Sequence, residues 1–200
     1  MGDLRPEAAL AHIALNLRRL GKRFALVGGL AVSVRAEVRF TRDVDLAIGV
    51  ADDAEMEAVV HDLRGVGYAP VAVVEQTERG RLATVRLESP GGMIVDLLAA
   101  SSGIEHEIVE RATSVAFEDT GDVPVARAEE LLAMKVLSMT DERLQDHIDA
   151  VNLVLEDEAL DLDAVRANLA LIEARGFHRG QDLARKLEAV LDAVTRARGA

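Results

Sequence analysis

The segment VGGLAVSVRAEVRFTRDVDLAI, residues 27–48, combines a glycine turn with two closely spaced aspartates. The apolar run Phe24–Val27 predicts a short buried strand, and a helix is expected from Gly29 to about Val38. A second strand is predicted over residues 44–50. Free N–H groups at a helix start bind phosphate oxygens, and paired carboxylates bind divalent cations. The segment therefore indicates phosphate chemistry.

Around this segment, the chain has the composition of a globular protein without disulfides. It has 200 residues, of which 50% are hydrophobic and 2% aromatic, and it contains no cysteine. No apolar run approaches the roughly 20 residues that span a bilayer, and the N-terminus lacks the features of a secretory signal. We therefore expect a cytoplasmic protein with no membrane partner.

The net charge of −12 argues against a protein that coats nucleic acid along its length. The charge is unevenly distributed, however. Residues 1–43 hold eight Lys/Arg and four Asp/Glu, which leaves 15 and 31 for the rest of the chain from totals of 23 and 35. A positive field near the glycine turn would suit a polyphosphate or an RNA end.

Hydrophobic periodicity predicts an α+β fold, with a mixed β-sheet flanked by helices and a C-terminal helical bundle. A mixed sheet is favoured over a doubly wound one because the strands between residues 68 and 98 follow one another as hairpins. The predicted domains are residues 1–126 and 127–200. Helices are expected at 6–20 and 53–64, and strands at 68–74, 82–88, 93–98 and 113–117.

Asp43 and Asp45 are the first candidate metal ligands. Alternate residues of a strand point to one face, about 6.5 Å apart along it. A bare D-x-D is common by chance, and the alternative is that Asp43 caps a turn while Asp45 faces solvent. Asp96, in the apolar strand Met93–Leu98, is the natural third ligand because a buried aspartate requires a partner. The alternative is that Asp96 lies at the solvent-exposed edge of its strand and binds no metal.

Gly28 and Gly29 are the candidate phosphate-binding residues. They follow a predicted strand and open a predicted helix, which leaves backbone N–H groups free for phosphate oxygens. No Gly-Lys-Ser/Thr follows, so they are not part of a Walker motif, and they do not form a G-x-G-x-x-G pattern. The five histidines lack the spacing of metal ligands to one another.

Taken together, these motifs resemble the nucleotidyltransferase (polymerase β-like) superfamily. They are most similar to its AbiEii or type IV toxin branch, which includes the MenT-like tRNA-modifying toxins. The resemblance places Gly28 and Gly29 in the glycine turn, Asp43 and Asp45 in D-x-D, and Asp96 as the third carboxylate. It continues through Val123-Pro-Val, Lys135, Arg143, Asp146 and Asp149, and so covers roughly residues 24–151.

The resemblance implies that Lys135 contacts the triphosphate as a catalytic residue, with Arg143 as a further phosphate-binding residue and Asp146 as a further catalytic residue. On a continuous helix, these three side chains would share a face. A helix break at Thr140–Asp141 would remove this shared face. The alternative is a lysine paired with Asp146 or Glu142. The segment after Arg143 reads Leu-Gln-Asp, whereas many relatives have Lys-Asp there.

Arg35, Arg39 and Arg42 surround the motifs in sequence. Arg42 is expected to contact a phosphate or to orient Asp43, and the alternative is a surface pair with Glu37. The Arg39-Phe-Thr-Arg segment belongs to the resemblance.

The function implied is transfer of a nucleoside monophosphate from an NTP to an acceptor hydroxyl, with Mg²⁺ or Mn²⁺ held by the three aspartates. The expected acceptor is the 3′ end of tRNA, and the expected role is that of a toxin with a cognate antitoxin protein. The alternatives are a small-molecule or protein acceptor, as in antibiotic-modifying relatives, and a non-catalytic binding module on the same fold.

Overall fold

The computed structural model describes residues 5–38, 40–76, 80–118 and 120–199. These residues form a seven-stranded sheet with the order β3-β4-β5-β2-β1-β7-β6. The pairs β2–β5 and β1–β7 are parallel and the other four are antiparallel, so the sheet is mixed. The strands are β1 (Phe24–Val27), β2 (Asp43–Ile48), β3 (Ala69–Gln76), β4 (Arg81–Glu88), β5 (Ile94–Leu98), β6 (Thr113–Phe117) and β7 (Gly121–Val125).

Eight helices are present in the described ranges, and the last four follow one another at the C-terminal end. There α5 packs against α6, α7 and α8. The helices are α1 (Pro6–Arg19), α2 (Gly28–Arg35), α3 (Asp53–Arg64), α4 (Glu105–Arg111), α5 (Ala128–Ser138), α6 (Leu144–Glu156), α7 (Leu162–Ala174) and α8 (Leu183–Arg198). The predicted α+β class, with a mixed sheet and helical C-terminus, is confirmed.

The core lies where the central strands meet the helices. Leu46 and Leu97 are fully buried in adjacent strands, and Leu132 of α5 and Leu187 of α8 belong to the same apolar cluster. Because this cluster joins the sheet to the C-terminal helices, both halves of the chain contribute to one core. The division at residue 126 stays a prediction.

The central and outer strands differ in burial. In β4, Ala83, Val85 and Leu87 are buried, while Arg86 between them is exposed. The helix α3 packs against β3 and β4, so it covers the face that carries the buried residues. The edge strand β3 is exposed on both faces through most of its length.

The structure corrects one sequence-based helix boundary and agrees with the helix break considered near Thr140. The helix predicted to reach Val38 ends at Arg35. The helix break considered near Thr140 is present, because α5 ends at Ser138 and α6 begins at Leu144, so Lys135 and Asp146 lie on different helices. Thr140 lies at this interruption, where its carbonyl accepts a turn hydrogen bond from Arg143. Thr and Asp favour turns and caps over helix interiors.

Sequence reasoning placed no element over residues 99–112, where the structure has α4. A Ser-x-x-Glu pattern was available to find it, since this pattern marks helix starts. Glu105 accepts hydrogen bonds from the Ser102 hydroxyl and from the backbone N–H groups of Ser101, Ser102 and Gly103, at 2.6–2.9 Å.

The contrast between central and edge strands yields a stability prediction. Leu97→Ala should lower the free energy of unfolding by about 2–5 kcal/mol, because it opens a cavity in the centre of the core. Val73→Ala on exposed β3 should change it by less than about 0.5 kcal/mol. Chemical denaturation measures both, and equal losses would contradict this assignment of the core.

Candidate active site

Parallel pairing of β2 with β5 brings the three candidate carboxylates together. Asp45 lies directly opposite Asp96 in the register, and Asp43 precedes Asp45 on the same face. One carboxylate oxygen from each of the three residues lies within 4.8 Å of the others. Asp96 is buried, and the other two are partly buried. The predicted D-x-D geometry and third carboxylate are thus present together, while their chemical roles stay predictions.

Asp43 is oriented by its neighbour Thr41 rather than by Arg42. The Thr41 hydroxyl donates a hydrogen bond to Asp43 Oδ1 at 2.9 Å. Thr41 is itself buried, so its hydroxyl is held in place. The guanidinium of Arg42 lies 5.8 Å from the centre of the Phe40 ring, at the rim of the cleft. Arg39 lies outside the described residues.

Asp96 forms a bidentate ion pair with Arg86 of the neighbouring strand. Arg86 Nε donates to Asp96 Oδ1 at 2.8 Å, and Arg86 Nη2 donates to Oδ2 at 2.6 Å. This pairing raises the pKa of Arg86 above its usual value. Sequence reasoning missed Arg86. The predicted strands on either side of the Ser89–Gly92 turn could have identified it. A hairpin centred on residue 91 places residue 86 opposite residue 96, so Arg86 was predictable as the partner of Asp96.

Asp45 carries a strong electrostatic penalty. Burial, followed by repulsion from Asp43 and Asp96, raises its pKa from 3.8 to about 7. Lys135 and a hydrogen bond from the Gly29 backbone lower it only in part. The fold therefore holds negative charge together without enough positive charge beside it.

The start of α2 lies directly against Asp45. Gly28 has φ of +65°, and a Cβ atom built there would lie 1.9 Å from Asp45 Oδ2. A side chain at this position would therefore be strained and would displace the carboxylate. Gly29 follows in the first helical turn, and its carbonyl accepts a hydrogen bond from Ser33 Oγ at 3.1 Å. The predicted helix start at the glycines is thus in contact with the acidic cluster.

Lys135 lies on the opposite wall, where α5 and α6 meet. Its Nζ is 2.7 Å from Asp146 Oδ1 and 2.7 Å from Asp149 Oδ2. Arg143 Nε lies 2.9 Å from Asp146 Oδ2. The pairing of Lys135 with Asp146 agrees with the alternative interpretation of the lysine. It also shows that the two side chains meet across a turn between helices instead of along one helix.

All nine predicted site residues line a single cleft of about 710 Å³. Arg86, Phe40 and Thr41, which were not among them, line it as well. The predicted residues in the cleft are Gly28, Gly29, Arg42, Asp43, Asp45, Asp96, Lys135, Arg143 and Asp146.

The acidic cluster fits a divalent cation. Carboxylate oxygens are the protein ligands that Mg²⁺ prefers, and this ion completes its shell with water and substrate phosphates. A bound cation would also relieve the repulsion that raises the pKa of Asp45. The donor set, all oxygen and without histidine or thiolate, suits Mg²⁺ or Mn²⁺.

Comparisons with known proteins agree with this geometry. The model of the family described as nucleotidyl transferase AbiEii toxin, type IV TA system, matches residues 8–198. Comparison with curated proteins finds no match. Within the described chain, each helix is too short or too polar to span a bilayer.

Three solved structures are similar in fold. An antigenic nucleotidyltransferase-like protein from Paracoccidioides brasiliensis has a TM-score of 0.52 at 18% identity, over 94% of each chain. The lincomycin-bound lincosamide antibiotic adenylyltransferase LnuA has a TM-score of 0.50 at 17% identity, over 76% of this chain and 98% of its own. ANT(2″)-Ia with adenylyl-2″-tobramycin has a TM-score of 0.51 at 12% identity, over 86% and 99%.

The raised pKa of Asp45 predicts a stability effect that depends on pH. Stability from protonated Asp45 is present below about pH 3.8 and is lost as the pH rises through about 7. Asp45→Asn keeps this position neutral. In metal-free buffer at pH 8, its melting temperature should exceed that of the unmodified protein by about 3 °C or more.

The difference in melting temperature between Asp45→Asn and the unmodified protein should narrow as the pH falls from 8 to 4. Calorimetry can follow this change. Magnesium should raise the melting temperature of the unmodified protein and have little effect on Asp45→Asn, because a ligand is missing. A lower melting temperature for Asp45→Asn at pH 8 without metal would contradict the repulsion between the carboxylates.

The contact between Gly28 and Asp45 gives a second prediction. Gly28→Ala should lower the free energy of unfolding by about 3 kcal/mol or more, since it combines backbone strain with a steric clash. Gly21 is a matched control. Its φ is +67°, but a Cβ atom there meets nothing within 4 Å, so Gly21→Ala should cost about 1 kcal/mol. Similar losses in urea denaturation would show that the clash is absent.

Proposed function

The chain belongs to the AbiEii family of type IV toxin–antitoxin nucleotidyltransferases, and from this premise we propose that it transfers a nucleoside monophosphate from an NTP to the 3′ end of tRNA. The family membership confirms the resemblance drawn from residues 24–151. The observation that carries the proposal is the meeting of three carboxylates with the glycine start of α2. This arrangement supports the proposal, because the carboxylates would bind a metal beside backbone N–H groups that would bind phosphate.

Each part of the cleft has a place in the reaction. Asp43, Asp45 and Asp96 would hold Mg²⁺ or Mn²⁺, which neutralises charge on the phosphates and activates the attacking oxygen. The Gly28–Gly29 backbone faces the triphosphate, because helix N-termini favour anions. Most of the catalysis is positioning and charge stabilisation, as expected for phosphoryl transfer.

Lys135 contributes to triphosphate binding without leaving its present partners. An ammonium group has three donors, and two of them face Asp146 and Asp149. The third remains for a phosphate oxygen in the cleft. Asp146 also engages Arg143, so the acidic pair positions both cations. We therefore assign Asp146 to positioning, and Arg143 and Arg42 to phosphate contacts at the rim.

The step itself exchanges one phosphorus–oxygen bond for another. The acceptor 3′ hydroxyl oxygen forms a bond to the α-phosphorus as the bond to the bridging oxygen of the β-phosphate breaks. The bonding pair leaves with pyrophosphate, and the hydroxyl proton passes to Asp96. The NTP and RNA substrates imply a cytoplasmic location, and the family implies a cognate antitoxin.

Transfer can be tested with purified protein, each of the four α-labelled NTPs, Mg²⁺ and total tRNA. The unmodified protein should label tRNA with at least one NTP. Asp43→Asn should reduce this by about 100-fold or more, because a preorganised charge in the site is lost. Asp163→Asn, at a side chain that is 96% exposed on α7, should retain full activity.

The acceptor is the part of the proposal that this assay decides. Labelling of a small molecule or a protein with no labelling of tRNA would replace the tRNA assignment with one of those acceptors. Absence of labelling with every acceptor would favour a binding module instead. The intact carboxylate cluster and glycine start of α2 give that alternative no support.

A further inference from the structure

Beyond the triphosphate site, the sheet continues as an open surface on the side of Asp96. Paired residues on neighbouring strands share one face, and the register aligns Asp45, Asp96, Arg86 and Ala72 in a row across β2, β5, β4 and β3. The next row contains Leu98, Thr84 and Val74. We call the part of this face on β4 and β3 the outer platform. It consists of Arg86, Thr84, Ala72 and Val74.

The outer platform is accessible and carries one cation. Arg86, Ala72 and Val74 are exposed and Thr84 is partly buried. The side chains of Ala72, Val74 and Thr84 are small and uncharged. The helix α3 packs on the opposite face of β4, where Ala83, Val85 and Leu87 are buried. The platform thus offers small uncharged side chains with a guanidinium beside the candidate metal-binding carboxylates.

Reaction geometry assigns this side of the cleft to the acceptor. In phosphoryl transfer, the attacking and leaving oxygens lie roughly in line on opposite sides of the phosphorus. The glycine start of α2 follows β1, which flanks β2 on one side, and α5 packs against α2. Pyrophosphate would leave toward these elements. The acceptor would then approach over β5 and β4, which flank β2 on the other side.

Arg86 can hold an acceptor phosphate while it stays bound to Asp96. A guanidinium has five N–H donors in a planar fork. Asp96 engages one hydrogen of Nε and one of Nη2, and three donors remain. The Arg86 side chain is 48% exposed, whereas that of Asp96 is 9% exposed. The free donors therefore have access to a ligand on the platform.

We propose that the outer platform binds the 3′-terminal nucleotide of the acceptor RNA, with Arg86 holding its phosphate and the small side chains of β3 supporting its base. This inference rests on the proposed function and identifies where its acceptor lies. The guanidinium donors that Asp96 leaves open match the oxygens of a phosphodiester. Arg86 thus acts as a positioning residue for Asp96 and as a direct contact to the acceptor.

Arg86→Gln tests the phosphate contact. The KM for tRNA should rise about 10-fold or more, while the KM for the NTP should change less than about 3-fold. Loss of one phosphate contact should also lower the slope of log K against log salt concentration by about 0.7 in RNA binding. Arg86→Lys should restore most of this slope, because it restores the charge.

Arg81→Gln is the matched control on the same strand. Arg81 pairs with Asp53 of α3 at 2.8 Å, so it belongs to the covered face. This variant should leave the salt slope and both KM values unchanged. An unchanged slope and tRNA KM in Arg86→Gln would overturn the proposed phosphate contact.

Two substitutions on β3 test the platform without touching Arg86. Val74 and Val73 are 56% and 53% exposed, but Val74 pairs with Thr84 and Val73 with Val85, so they face opposite sides. Val74→Asp should weaken tRNA binding about 10-fold through repulsion of phosphate, and Val73→Asp should not. Equal effects would overturn the assignment of the face. Full labelling of tRNA by the unmodified protein would then still support the proposed function.

Discussion

Repulsion among three carboxylates is the constraint on which the rest of the site depends. The register of β2 and β5 forces Asp45 and Asp96 to be neighbours, and burial keeps water from screening them. This cost falls in the central strands, where the surrounding apolar side chains are buried. Strain of this kind is typical of functional sites, which trade stability for chemistry. The surrounding cations partly offset the negative charge, each in a fixed position.

Those cations are themselves fixed by carboxylates, some outside the acidic cluster and one within it. Lys135 is held by Asp146 and Asp149, and Arg86 is held by Asp96. Such pairing limits the movement of flexible side chains, so that less entropy is lost when a polyphosphate binds. The two walls of the cleft therefore share one feature, a cation that is held in a fixed position by carboxylates.

Much of this arrangement could be predicted from local sequence. The strand and helix on either side of Gly28, the D-x-D pair and the hairpin that carries Asp96 all follow from patterns within short segments. The pairing of β2 with β5 was not predictable in the same way, because parallel neighbours are separated by two other strands in the chain. Arg86 was missed because only the register of the β4–β5 hairpin shows that it lies opposite Asp96. The residue type alone does not indicate this pairing.

The wall made by α5 and α6 shows another limit of sequence reasoning. The spacing of Lys135 and Asp146 matched whole helical turns, and the same spacing also allowed a turn that folds one helix back beside the other. Both geometries bring the side chains together, so the salt bridge and the break at Thr140–Asp141 were each considered, but the spacing alone did not decide between one helix and two. Tertiary packing of α6 against α5 and α8 selected the broken form.

The site draws on segments that are far apart in sequence, and this has a consequence for synthesis. The cleft is complete only when all of its parts have been made. These parts are the glycines near residue 28, the aspartates near residues 45 and 96, and the wall that contains Lys135, at residues 135–149. Because domains fold as units while the chain emerges N-terminus first, a ribosome-bound fragment ending before α6 lacks one wall. The cleft therefore gains its second wall only after α6 has been translated.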